Sequence, residues 1–174
     1  MSFFDLLKTR RSIRKYLPKA VEPEKIDKIL NAALMSPASK RSNTWEFIAV
    51  QDKETLKNLS ECRPHGSRFL AESTLGIVII ADTTKSDVWI EDASIAATFI
   101  QLQAHDAGLG TCWVQVRGRY TKDGLSAESY ICELLNIPEK FAVLCIISIG
   151  YPNEIKNAFE EDKLQTEKIH FDKY

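Results

Sequence analysis

Along this chain the apolar positions fall into runs whose period changes from segment to segment. Phe3 to Lys8 carries apolar residues at helical spacing, and Ser12 with Pro18 predicts an extended link after it. Glu22-Pro23-Glu24 puts a proline and acids into a first turn, and Ile26, Ile29, Leu30, Ala33 and Leu34 then share one helical face. The polar stretch Ser36-Pro37-Ala38-Ser39-Lys40-Arg41-Ser42-Asn43 breaks that period and reads as a loop. Trp45 to Gln51 is expected as a strand and Asp52 to Ser60 as a helix capped by its aspartate. Thr74 to Ala81 is apolar almost throughout, which predicts a strand buried on both faces.

The longest helix is expected from Val88 to Ala107. Ala93, Ala96, Ala97, Ile100, Ala104 and Ala107 form one stripe and Ile95, Phe99 and Leu102 another, so the helix should be central. The small side chains of the first stripe would let another helix approach closely, from within the chain or from a second subunit. Gly108-Leu109-Gly110 stops the helix, and Thr111 to Val116 continues as a strand. A helix over Ser126 to Asn136, a strand over Phe141 to Ile149 and the turn Gly150-Tyr151-Pro152 complete the pattern. In the charged tail that follows, Ile169, Phe171 and Tyr174 alternate with polar residues, which suits either a strand completing a sheet or a frayed terminus. No repeat or linker divides the chain, so residues 1–174 read as one domain.

Composition narrows the class. At 174 residues, with 44% hydrophobic and 27% charged positions, the chain can bury a core without staples and is globular in type. The net charge of -1 supplies no overall field toward nucleic acid or an anionic membrane, so any basic site has to be local. The longest strongly apolar run, Phe141 to Ile149, falls far short of the roughly 20 residues of a membrane helix, and the sequence reads as cytoplasmic. Cys62, Cys112, Cys132 and Cys145 lack C-x-x-C spacing and are expected to pack rather than bind metal or form disulfides. His65, His105 and His170 have no Ser or Cys partner at a motif spacing, and Gly108-Leu109-Gly110 lacks the third glycine of a dinucleotide fingerprint.

Two segments could carry chemistry. Arg10, Arg11, Arg14 and Lys15 lie close together after the first helix, where guanidinium forks and the Ser12 hydroxyl could grip a phosphate. Taken alone, the cluster suits a solvated basic face better, with a nucleic-acid patch as a third reading. The Ser36 to Asn43 loop offers hydroxyls, an amide and cations suited to a polar ring edge or a sugar-like chain, or it is an ordinary connection.

The order of the segments is more specific than any one of them. R-R-S-I-R-K-Y, a helix, S-P-A-S-x-x-S-N-x-W-E-F, a long helix ending G-L-G-T-C-W, and a final I-G-Y-P before a charged tail resemble the nitroreductase family over essentially the whole chain. That resemblance implies an α+β fold with a central mixed or antiparallel sheet of four to five strands flanked by helices, in an intertwined homodimer. It implies flavin mononucleotide (FMN) as cofactor and NADH or NADPH as co-substrate. The implied activity is hydride transfer through flavin N5 to a nitroaromatic, quinone or similar small-molecule acceptor by a ping-pong mechanism. It places Arg10, Ser12 and Arg14, with Arg11 adjacent, on the flavin phosphate and ribityl chain. It maps the loop reaching the flavin from the other subunit to Pro37, Ala38, Ser39, Arg41 and Asn43. A backbone N–H near N5 falls around Gln115 and Val116, Lys156 adds to the phosphate site, and the tail from about residue 156 to 174 extends onto the partner. No side chain is required as acid or base.

The sequence departs from the family pattern at two places. Thr44 precedes Trp45 where many relatives have proline, and Val114-Gln115-Val116-Arg117 stands where many have Gly-Gly. The second departure alters the groups beside the ring and motivates an alternative reading, a flavin carrier or sensor with little turnover.

Overall fold

The computed structural model describes residues 2–174. Its nine principal elements are α1 (Phe3–Thr9), α2 (Pro23–Leu34), β1 (Trp45–Val50), α3 (Lys53–Ser60), β2 (Leu75–Asp82), α4 (Trp89–Asp106), β3 (Gly110–Gln115), α5 (Ala127–Leu135) and β4 (Phe141–Gly150). The four strands form one sheet in the order β1-β2-β4-β3, and every neighbouring pair is antiparallel. The family's α+β architecture is therefore present with a fully antiparallel sheet. No fifth strand forms from the tail, where the described residues make short 3-10 turns at Glu161–Lys163 and Thr166–Lys168.

The central strands β2 and β4 are apolar almost throughout, Asp82 and Ser148 excepted, because both of their faces are covered. Leu75, Ile77 and Ile79 point to one side, where Ile26, Ile29 and Ala33 of α2 and Ala93, Ala97, Ile100 and Ala104 of α4 meet them. Val78 and Ile80 point to the other, against Leu56 and Leu59 of α3 and Ile131 of α5. Local signals set the helix ends. Ser2 and Asp5 form a capping box on α1, Asp52 and Ser126 accept from the first turns of α3 and α5, and Asn136 ends α5 in the left-handed conformation.

Helix α4 departs from the expectation that it is buried on most sides. Its alanine stripe is buried within the chain, but Ile95 and Phe99 are 38% and 36% exposed. Leu34, expected on the inner face of α2, is exposed as well. Phe3 and Leu6 of α1 join Ala32, Phe99 and Leu102 around an apolar groove of about 300 Å³. Among the described residues, no helix is long and apolar enough to cross a membrane.

Candidate flavin site

The N-terminal link lies flat across the edge of the sheet because two glycines leave room for it. A Cβ on Gly110 would come within 2.7 Å of Ile13, and one on Gly150 within 2.9 Å of the Tyr16 ring. Ser12 consequently bridges Thr111 in parallel, the Ile13 N–H donates to the Thr111 carbonyl at 2.9 Å, and Tyr16 bridges Pro152. Tyr16 is buried, and its hydroxyl donates to the Ile13 carbonyl at 2.6 Å and lies 2.7 Å from Ser148 Oγ. Burial pushes the Tyr16 phenol well above its ordinary range.

Extended backbone alternates its side chains, and this divides the basic cluster in two. Ile13 is buried against β3, and Arg11 belongs to the same alternate set. Arg10, Ser12 and Arg14 belong to the other set and gather around Cys112 of β3. Burial raises the Cys112 thiol, while the charges of Arg14 and Arg10 and hydrogen bonding from Ser12 and Arg14 oppose the rise. His105, near the end of α4, is held below its usual range by partial burial and by Arg10.

Arg11 instead donates to the Asn157 carbonyl and lies over the Phe159 ring at 4.7 Å. With Thr9, His105 and Lys156 it lines a groove of about 380 Å³. Lys156 is ion-paired to Glu154 at 2.9 Å, and the same carboxylate accepts from the backbone of Arg14 at 2.6 Å and of Lys15 at 3.2 Å. The backbone bond from Arg14, with Lys156 next, holds the Glu154 carboxyl below its usual range. The first part of the tail is thus stitched to the N-terminal segment of its own chain, and the Phe159 N–H reaches the Lys8 carbonyl at 2.9 Å.

The far end of β3 lies along the open sheet edge. Alternate residues of an antiparallel strand turn both backbone groups away from the partner. Thr111, whose carbonyl serves Ile13, is one of these, and Gln115 has the same parity. The Gln115 carbonyl accepts from Arg63 Nη1 at 3.1 Å, and its N–H faces the same open edge. Val116 has the opposite parity. It is fully buried and its N–H points to the Leu144 carbonyl at 3.4 Å. Of the two residues expected near N5, Gln115 has the free-edge geometry.

The serine loop is held by a residue that local sequence signals cannot find. Asp92 of α4, 4% exposed, accepts from the Ser39 N–H at 2.9 Å and from Ser42 Oγ at 3.3 Å. Between and beyond those anchors Lys40, Arg41 and Asn43 adopt positive φ, which non-glycine residues rarely do. Ser39–Arg41 winds into a 3-10 turn, and Pro37, Arg41 and Asn43 are exposed. Just beyond, Thr44 Oγ1 and Trp45 Nε1 are buried with no hydrogen-bond partner among the described residues.

The model of the nitroreductase family matches residues 7–151, which spans the basic segment, the serine loop and β3. The chain belongs to the nitroreductase family. Among solved structures, an FMN-dependent nitroreductase from Clostridium difficile R20291 is 57% identical and superimposes with a TM-score of 0.97, covering 98% of this chain and 99% of that one. An Archaeoglobus fulgidus protein, provisionally named an NADH dehydrogenase/NAD(P)H nitroreductase, is 36% identical over 97% of both chains. An FMN reductase [NAD(P)H] of Bacillus subtilis is 27% identical over 84% of this chain and 64% of its own length. This nitroreductase-family chain keeps the basic segment and the serine loop apart. The loop adjoins the edge strand β1 and the arginines lie on the opposite edge strand β3, three strand spacings or about 14 Å across the sheet. Along α4, Asp92 at the loop and His105 near Arg10 are thirteen residues apart, about 20 Å of helix.

Proposed function

We propose that this chain is an NAD(P)H-dependent flavin oxidoreductase that binds FMN between two copies of itself. The observation that carries the reading is the donor set on the β3 edge: two guanidinium groups and a hydroxyl on one side of an extended segment, and a backbone N–H farther along the same edge. That set fits a phosphate at one end of a ligand and a polar ring at the other.

Arg10 and Arg14 would neutralise the phosphate, Ser12 would donate to it, and the Gln115 N–H would meet the ring. Arg11 and Lys156 would contribute charge from the adjoining groove. Pro37, Ala38, Ser39, Arg41 and Asn43 would come from the second copy, because their own chain holds them about 14 Å or more from its basic segment. The bare apolar groove between α1 and α4 supports such a homodimer, since monomers seldom expose contiguous apolar surface of this kind. The single sheet with a core on each face supports one domain over residues 1–174. Residues near the end of the tail, where Phe171 and Tyr174 are exposed, would find cover on the partner.

Bound flavin would take a hydride at N5 from NADH or NADPH and, in ping-pong order, reduce a nitroaromatic, quinone or similar acceptor. The protein's part is to fix the phosphate end, present a donor to the ring and leave one ring face open to each substrate in turn.

The purified protein is expected to be yellow, and anaerobic addition of NADH or NADPH should bleach it. Arg10→Ala and Arg14→Ala should each weaken flavin retention on desalting by about tenfold or more while the far-ultraviolet circular dichroism stays unchanged. A colourless wild-type protein that refuses added FMN would overturn the reading. A yellow protein that neither nicotinamide can bleach would favour a carrier.

A further inference from the structure

The cations of this molecule are used in two different ways. Every ion pair among the described residues is made by a lysine, and no arginine takes part in one. Arginine is the residue whose planar fork best matches phosphate and carboxylate, so exposed arginines that make no direct ion pair are free to take an anion.

Arg10 and Arg14 are assigned to the flavin phosphate above. Arg63 reaches the other end of β3, beside the residue assigned to the ring, and Arg117 and Arg119 follow in the turn after that strand, where Arg119 Nη1 donates to the Gly118 carbonyl at 3.0 Å. Arg63 Nη1 donates to the Gln115 carbonyl at 3.1 Å. Gln115 Nε2 donates to the Arg117 carbonyl at 2.8 Å, and Gln115 Oε1 accepts from Trp113 Nε1 at 2.9 Å. The Arg119 N–H closes the following turn on the Val116 carbonyl at 3.0 Å, with Gly118 at φ +67. The glutamine side chain is therefore committed within the chain, and it pins the turn carrying Arg117 and Arg119 against the strand end. Both arginines are exposed, and Glu128, partly buried, is the carboxylate that feels Arg117.

This is the stretch, Val114-Gln115-Val116-Arg117, in which the chain departs from the Gly-Gly of many relatives. A pair of glycines would offer neither the anchor nor the charge.

We propose that the Arg63, Arg117 and Arg119 rim binds an anionic group, phosphate or carboxylate, on the substrate that occupies the ring site, and so selects charged over uncharged substrates. The assignment rests on the flavin reading above. The anion has two sources, the 2′-phosphate of NADPH or an acid group on the electron acceptor.

Isothermal titration calorimetry on the FMN-loaded protein separates them. NADP⁺ is compared with NAD⁺, and 4-nitrobenzoate with nitrobenzene, for wild type and for Arg117→Gln, Arg119→Gln and the double variant. In wild type the charged member of at least one pair should bind about tenfold more tightly, and the double variant should bring that ratio close to one. The preference should also shrink as sodium chloride is raised. A preference confined to NADP⁺ assigns the rim to the donor, and one confined to 4-nitrobenzoate assigns it to the acceptor. Equal binding within both pairs, or a preference that survives the double variant, overturns the rim. Wild-type protein that holds no flavin fails earlier and sinks the functional reading itself, whereas flavin-loaded protein without charge preference sinks only the rim.

Discussion

Asp92 spends its carboxylate on a loop 50 or more residues away in sequence, gripping the Ser39 N–H and the Ser42 hydroxyl from inside the first turn of α4. The loop needs that grip, because Lys40, Arg41 and Asn43 sit at φ values of 51°, 56° and 43° that cost energy unless their surroundings enforce them. Asp92→Ala would leave a part-buried amide and a part-buried hydroxyl without their partner. It is expected to lower stability by about 1–3 kcal/mol in chemical denaturation and to loosen flavin, with a double Asp92→Ala, Ser42→Ala variant costing less than the sum of its parts. No local signal marks this role in the sequence, since an acid near a helix start looks the same whether it serves its own helix or a distant loop. Arg11 was hidden in the same way. Its place beside Arg10 and Arg14 is plain in the sequence, but its position in a different groove depends on Ile13 being drawn into the core.

At the scale of elements, legibility followed burial. β2 and β4 could be read because two-sided cover demands unbroken apolar runs, and the ends of α3 and α5 because their caps are local. Ile95 and Phe99 on the second stripe of α4 are exposed although their pattern predicts burial, because apolar residues at helical spacing do not say which chain covers them. Gly110 was legible as a glycine but not for its purpose. Gly108, at φ +78, is the residue that turns the chain after α4, and Gly110 is needed for the close approach of Ile13. Gly110→Ala should push the basic segment off β3. The expected cost is about 1–3 kcal/mol, with flavin retention falling further than for a destabilisation of equal size in α5. Thermal melts read beside the bound-flavin absorbance would check this. Retention that falls only in step with stability would show that the glycine serves the fold and not the site.

For the whole molecule, the order β1-β2-β4-β3 decides what one chain can and cannot do. The family and its fold were legible from the series of motifs, while the distance between those motifs was not, because sequence order carries no record of sheet order. With the loop beside one edge strand and the arginines along the other, each copy of the proposed dimer would be the donor for one pocket and the recipient at another. In such a dimer, damage could be traded between subunits. A protein carrying Arg10→Ala and Arg14→Ala and a second carrying Asp92→Ala should each be poor in flavin. After mixing, denaturing and refolding, half the dimers would be hybrids, each with one undamaged pocket and one damaged twice. About a quarter of all pockets should then recover flavin, although no single chain in the tube is intact. Recovery indistinguishable from zero would mean that each pocket is built by one chain alone.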